Sequence, residues 1–306
     1  MRRCLLISLL MLVAGIAQAQ PVLHVAVLEN RNYIVGANNA PSGLHRYEGD
    51  TTWTHLGWTN LRNFGVDATP DGTIYLAAGN GAFRSRDGGA SWRITTGWEV
   101  TEVLDVDVAP SNPATIYIAT AYGVWRTTDG GETWAQQNSG LSNPPFTQAI
   151  AVDRANPERV LTGGEGGLYE STDGGEHWQQ ISAVPIREIQ QHPADPDVWL
   201  VGTGGRGVMV SHDGGTNWQF SEGVTSTMYA VAADPLNPEH MVAAGFETGV
   251  FVSTDSGQTW ALADGMAGQS VHALLFDESQ QGRLWAGTLG AGVYYSDDLG
   301  QTWQYA

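Results

Sequence analysis

A short run of residues recurs along the chain, and the copy Ser171-Thr172-Asp173-Gly174-Gly175-Glu176-His177-Trp178 shows it most completely: Ser or Thr, any residue, Asp, usually Gly, Gly, two residues, Trp. Clear copies also run from Ser85 to Trp92, Thr127 to Trp134, Ser211 to Trp218, Ser253 to Trp260 and Ser296 to Trp303, and a worn version runs from Arg46 to Trp53. The acidic positions Glu48, Asp87, Asp129, Asp173, Asp213, Asp255 and Asp298 are spaced by 39 to 44 residues. A period of that length belongs to arrays of small units, each of which hides its apolar surface only against its neighbours.

The segment 147–182 shows what one unit contains. Gln148-Ala149-Ile150-Ala151-Val152 reads as a short apolar strand, Asp153-Arg154-Ala155-Asn156-Pro157 as a turn, and Val160-Leu161-Thr162-Gly163 as a second strand. Gly167-Leu168-Tyr169-Glu170-Ser171 makes a third, the aspartate turn reverses the chain, and Trp178-Gln179-Gln180-Ile181 makes a fourth. Four antiparallel strands repeated seven times, the first innermost, predict an all-β, seven-bladed β-propeller. The blades are expected at about 20–59, 60–98, 99–141, 142–182, 183–223, 224–266 and 267–306. In the repeated turn the aspartate is placed to accept backbone N–H groups. Its second Gly holds as Gly89, Gly131, Gly175, Gly215, Gly257 and Gly300, whereas the first becomes Ser256 and Leu299, which predicts positive φ at the second position alone. Burial of each closing Trp should stabilise by roughly 2 to 3 kcal/mol.

Residues 1–19 read as an export signal: Arg2 and Arg3 before an apolar stretch from Cys4 to Ile16, then Ala17-Gln18-Ala19 as the small-x-small cleavage site. The mature chain is expected to begin at Gln20, in the bacterial periplasm or outside the cell, as a monomer without cysteine. All 14 cationic residues are arginine, against 32 Asp and Glu, for a formal net charge of −18. Such a surface opposes nucleic acid and anionic lipid, since phosphate binding needs clustered cations.

The motif Ser/Thr-x-Asp-x-Gly-x-x-Trp resembles the Asp-box, or bacterial neuraminidase repeat, found in sialidases, sortilin-type receptors, xyloglucan-hydrolysing enzymes and photosystem II assembly/stability factors. The resemblance covers essentially the whole mature chain. It implies a propeller whose aspartate turns, at Asp87, Asp129, Asp173, Asp213, Asp255 and Asp298, are structural and lie away from the functional face. Single-propeller size, the leader and seven repeats are most similar to the photosystem II assembly/stability factors, which implies a non-catalytic scaffold that binds a protein partner.

In a propeller the loops between strands two and three share one face with the connections between blades. Five residues before the acids Asp67, Asp107, Asp153, Asp234 and Asp277, and before Glu29 and His192 in the same place, stand Arg62, Glu102, Gln148, Tyr229, His272, His24 and Arg187. Two residues further on the positions are apolar throughout: Phe64, Leu104, Ile150, Val231, Leu274, Ala26 and Ile189. The alternation predicts a polar binding ring at the channel mouth, with Arg206 leaning into it beside Arg187. The bland reading is that exposed strand starts are polar anyway.

The alternative is a glycoside hydrolase or a carbohydrate-binding propeller, xyloglucanase-like or sialidase-like, with a glycan in place of a protein partner at the channel mouth. Arg62, Arg187 and Arg206 would gather as a carboxylate clamp, with Tyr229 and Glu102 as a nucleophile pair. Against it, the chain lacks the Arg-Ile-Pro segment of sialidases and its repeats point to seven blades where sialidases have six, and xyloglucan hydrolases place two propellers across a cleft. Gly202-Thr203-Gly204-Gly205-Arg206-Gly207 fits a dinucleotide pattern but precedes another strand, Val208-Met209-Val210, where a helix is required. The eight His are scattered without ligand spacing, so neither a metal nor a cofactor is expected.

Overall fold

A computed structural model describes residues 64–277, 282–288 and 291–306 in full, together with Thr54, Leu56 and the backbone of strands within 6–57 and at Asn63. Six consecutive four-stranded antiparallel sheets run from Asn63 to Tyr305, each with its strands side by side in chain order. The third blade is typical: Ala149–Val152, Val160–Gly164, Gly167–Ser171 and Gln179–Ser182. Alternation of Val, Ile, Leu and Ala with small residues suits strands covered on both faces, and the second strand of every blade is buried from end to end.

The count corrects the expectation: this is a propeller of six four-stranded blades, not seven. The first repeat does not build a seventh. Its strands Leu23–Val27, Gly43–Gly49 and Thr52–Gly57 join Leu6–Ile7 and Leu10–Met11 in a five-stranded sheet. The worn motif explains part of the difference. With Arg46 in place of the hydroxyl residue and Asp50 in place of the second Gly, strand pairing continues into the motif through a bulge, Tyr47 opposite Trp53 and Gly49 opposite Thr52. The outer strand there spans six residues, where five of the six blades have two.

The core lies between the sheets, not within them. Blades five and six meet through Val242, Ala244, Val271, Leu274 and Trp285, and blades three and four through Leu161, Leu168, Ile189 and Trp199. Trp199 and Trp285 are among the largest fully buried side chains. Each innermost strand also has a free edge toward the channel, whose N–H groups need acceptors. Neighbouring blades supply them. Asp67 Oδ2 accepts Val108 N at 2.8 Å, Asp105 Oδ2 accepts Ile150 N at 2.9 Å, Asp107 Oδ2 accepts Val152 N at 2.6 Å and Gln190 Oε1 accepts Ala233 N at 3.0 Å. His192, fully buried, plays the turn role of an aspartate: its Nδ1 accepts Ala194 N and Asp195 N, as Asp153 Oδ1 accepts Ala155 N and Asn156 N.

Candidate functional site

Five blades enter their inner strand through a bulge, where pairing with the second strand skips one residue: Phe64, Leu104, Arg187, Tyr229 and His272. A bulged residue is unpaired and its side chain is re-aimed. Arg187, Tyr229 and His272 therefore turn out of the ladder at the channel mouth. In blades one and two the bulge comes two residues later and holds the apolar Phe64 and Leu104, so Glu102 lies ahead of its strand, exposed, at φ 51°. The expected ring is thus not one repeated position. His24 falls on a strand whose side chains are outside the described residues, as is Arg62 altogether.

Four of the described ring members, Gln148, Arg187, Tyr229 and His272, engage neighbouring blades. Tyr229 and His272 stack face to face, centroids 4.6 Å apart and planes 8° from parallel. Burial lowers the His272 pKa to about 4, and its Nε2 is buried without a partner, so the ring is neutral. Gln148 Nε2 donates to the Ile186 carbonyl at 2.5 Å, next to Arg187. Arg187 Nη1 donates to Glu165 Oε1 at 2.7 Å. Arg206 does not lean in beside Arg187; its guanidinium lies 3.8 Å from the centroid of Phe220, on the outer strand of its own blade. Tyr229 and Glu102 belong to blades five and two, so the suggested nucleophile pair does not come from adjacent blades.

Exposed aromatics on this face escaped the sequence reading, among them Trp98, 91% exposed in the connection between blades one and two. Tyr122 and Phe246 occupy the turns between strands two and three in blades two and five, 56% and 49% exposed. Glu247 follows Phe246, exposed, at φ 55°. A lone aromatic in a turn gives no pattern from which its exposure can be read.

The opposite face carries the aspartate turns. In the third blade Ser171 Oγ donates to Asp173 Oδ1 at 2.8 Å and accepts Gly175 N at 2.8 Å, while His177 N donates to Asp173 Oδ1 at 2.9 Å. The second Asp oxygen takes a side chain four residues on: Ser91, Thr133, Asn217, Thr259 and Thr302 donate in their copies, and His177 Nδ1 sits 2.8 Å away in this one. These bonds hold the carboxylates ionised. Asp87 falls to about 2 through Ser91, and Asp173 to about 2 through the His177 amide and ring. Glu176 brings the Asp173–His177 pair to three possible metal ligands within 4.8 Å, all exposed. Because His177 fills the place of five other hydrogen-bonding residues, it is read as part of the turn.

The glycine expectation needs correcting. Both positions have positive φ, about 58° to 75° at the first, where Ser256 and Leu299 also stand, and 81° to 91° at the second. The first range is the left-handed region that an L-residue reaches with strain; the second lies beyond it. Arginines tie neighbouring turns together. Arg84 donates to Gly130 O, Arg126 to Gly174 O and Arg159 to Gly214 O, each on the next blade's motif.

The BNR/Asp-box repeat model matches residues 294–305. No curated protein sequence matches the chain. Among solved structures, the GH74 xyloglucanase from Xanthomonas campestris is similar at TM-score 0.71 and 17% identity, over 97% of this chain and 52% of that one. An ancestral GH74 enzyme is 21% identical at TM-score 0.59, over 76% of this chain and 36% of its own. The chain thus spans about half or less of these relatives. YCF48 from Cyanidioschyzon merolae is similar at TM-score 0.62 and 17% identity over 88% of this chain and 89% of that one, and YCF48 bound to D1 peptide at 0.58 and 15%, over 82% and 84%. Identities this low speak for the fold, and with the six motif copies they make the chain a β-propeller carrying the BNR/Asp-box repeat.

Proposed function

We propose that the protein is an exported, non-catalytic propeller that holds a segment of another protein against its channel mouth. The observation that carries this reading is a mouth where Gln148, Arg187, Tyr229 and His272 are already engaged from blade to blade while Tyr122 and Phe246 stand exposed on the turns around it. A catalytic carboxylate clamp needs free guanidinium groups, and Arg187 is neutralised by Glu165 while Arg206 lies against Phe220. Two exposed aromatics instead suit burial of apolar side chains from a partner. The match with YCF48 runs nearly end to end on both chains, and one such structure holds a peptide, which supports a peptide-binding role at the scale of one propeller.

The second reading is glycan hydrolysis, favoured by the higher TM-score with the xyloglucanase and by the stacking of aromatics on sugars. One experiment separates them. Peptides selected by phage display on the immobilised protein are expected to lose binding in the Tyr122→Ala/Phe246→Ala variant, and xyloglucan oligosaccharides to remain intact. Oligosaccharide cleavage above a heat-denatured control sinks the binding reading. Export rests on the pattern of residues 1–19 and has its own test: mass spectrometry of a periplasmic fraction should give Gln20 as the first residue, and retention of Met1 refutes it.

A further inference from the structure

We infer that the mouth carries two acceptors for cationic side chains, one on blade two and one on blade five, and that the segment it takes is a basic, extended peptide. The inference rests on the protein-binding reading above and specifies its ligand.

Four non-glycine residues have positive φ among the described residues: Glu102, Glu247, Ser256 and Leu299. The last two stand in aspartate turns, whose geometry imposes it. Glu102 and Glu247 stand at the mouth, where Gly or Asn would adopt the left-handed region with less strain. Strained backbone concentrates at working surfaces. Both glutamates are exposed, and neither carboxylate has a hydrogen-bond or ion-pair partner among the described residues.

Each lies beside an exposed aromatic. Phe246 precedes Glu247 in the chain, and the Glu102 carbonyl accepts the amide of Ala121, the residue before Tyr122, at 3.2 Å. A carboxylate next to an aromatic suits an arginine or lysine, whose head pairs with the acid while its stem or guanidinium plane covers the ring. Among the described residues no arginine fills these places. Arg84, Arg126 and Arg159 reach the aspartate turns, Arg187 is paired with Glu165, and Arg206 covers Phe220. Blades three and four separate the two places, so a single occupant must be extended. The net charge of −18 attracts a basic segment and repels an acidic glycan or nucleic acid.

Fluorescence anisotropy with a labelled peptide of alternating arginine and serine tests this, beside a twin of alternating glutamate and serine. The protein should bind the basic peptide at least about tenfold more tightly, and Glu102→Gln/Glu247→Gln should weaken it about tenfold at an unchanged melting temperature. Glu176→Gln/Glu239→Gln removes the same charge from the aspartate-turn face and should leave binding as it was. Equal loss in both double variants, or equal binding of the twin, overturns the inference. Phage-selected peptides that bind through Tyr122 and Phe246 but carry no excess of arginine or lysine, and ignore Glu102→Gln/Glu247→Gln, overturn it while the mouth-binding reading stands. Xyloglucan cleavage with no peptide bound at the mouth overturns both.

Discussion

The hydroxyl of Ser171 accepts the buried Gly175 amide and donates to Asp173, so one side chain serves both limbs of the turn. Ser171→Ala should leave that amide unpaired and destabilise the protein by about 1 to 3 kcal/mol, read from denaturant unfolding. The other oxygens of the turn are exposed, and their effect belongs to acid. Their pKa values are lowered in the fold, so their contribution is complete above about pH 4 and fades as pH falls toward 2. His272 acts in the same direction from a different cause: burial depresses its pKa to about 4 from 6.5, so its contribution is present above 6.5 and lost as pH falls. His272→Phe should flatten the melting temperature between about pH 6.5 and 4, and an unchanged slope refutes the neutral stacked ring. Ser256→Gly, at φ 59°, should gain up to about 1 kcal/mol. The turn was legible because every partner in it lies within eight residues; the φ of its first Gly was not, because tolerance of Ser256 and Leu299 reports that strain is affordable, not that it is absent.

The inner strands were legible as apolar runs, but their bulges were not. A bulge is a property of two strands in register, and Arg187, Tyr229 and His272 look the same in sequence whether or not Ile186, Met228 and Val271 pair before them. For that reason the ring placed five residues before each turn acid holds in the last three blades and slips in the first two. The inner strand of blade four also carries Glu188, 4% exposed, whose pKa burial raises well above 4.5, with Asp105 and Asp107 adding repulsion. A raised carboxyl pKa gives stability that is complete below about pH 4.5 and lost as pH rises through the folded value. Glu188→Gln should therefore raise the melting temperature near neutral pH and leave it unchanged near pH 4. A fall at neutral pH shows that the ionised carboxylate is held by a partner.

At the scale of the molecule, the repeat period announced a propeller, and the copies announced one blade too many. Counting motifs assumes that each closes an equivalent turn; the copy from Arg46 to Trp53 lacks the groups that make the turn and pairs as a bulged hairpin. Adhesion between blades was only half visible. Apolar periodicity showed the packed faces, but nothing local shows that Asp105 and Asp107 reach the amides of Ile150 and Val152 some 45 residues away. Asp107→Ala should cost about 1 to 3 kcal/mol by orphaning the buried Val152 amide, measured by chemical denaturation, and a neutral result refutes the cap. These caps make the seam between blades two and three selective as well as adhesive. If the chain were severed in the connection 137–147, the two pieces would meet across a surface that scores polar matches as well as apolar area, so each half would tell its proper mate from any other blade pair, as the two parts of a split reporter must.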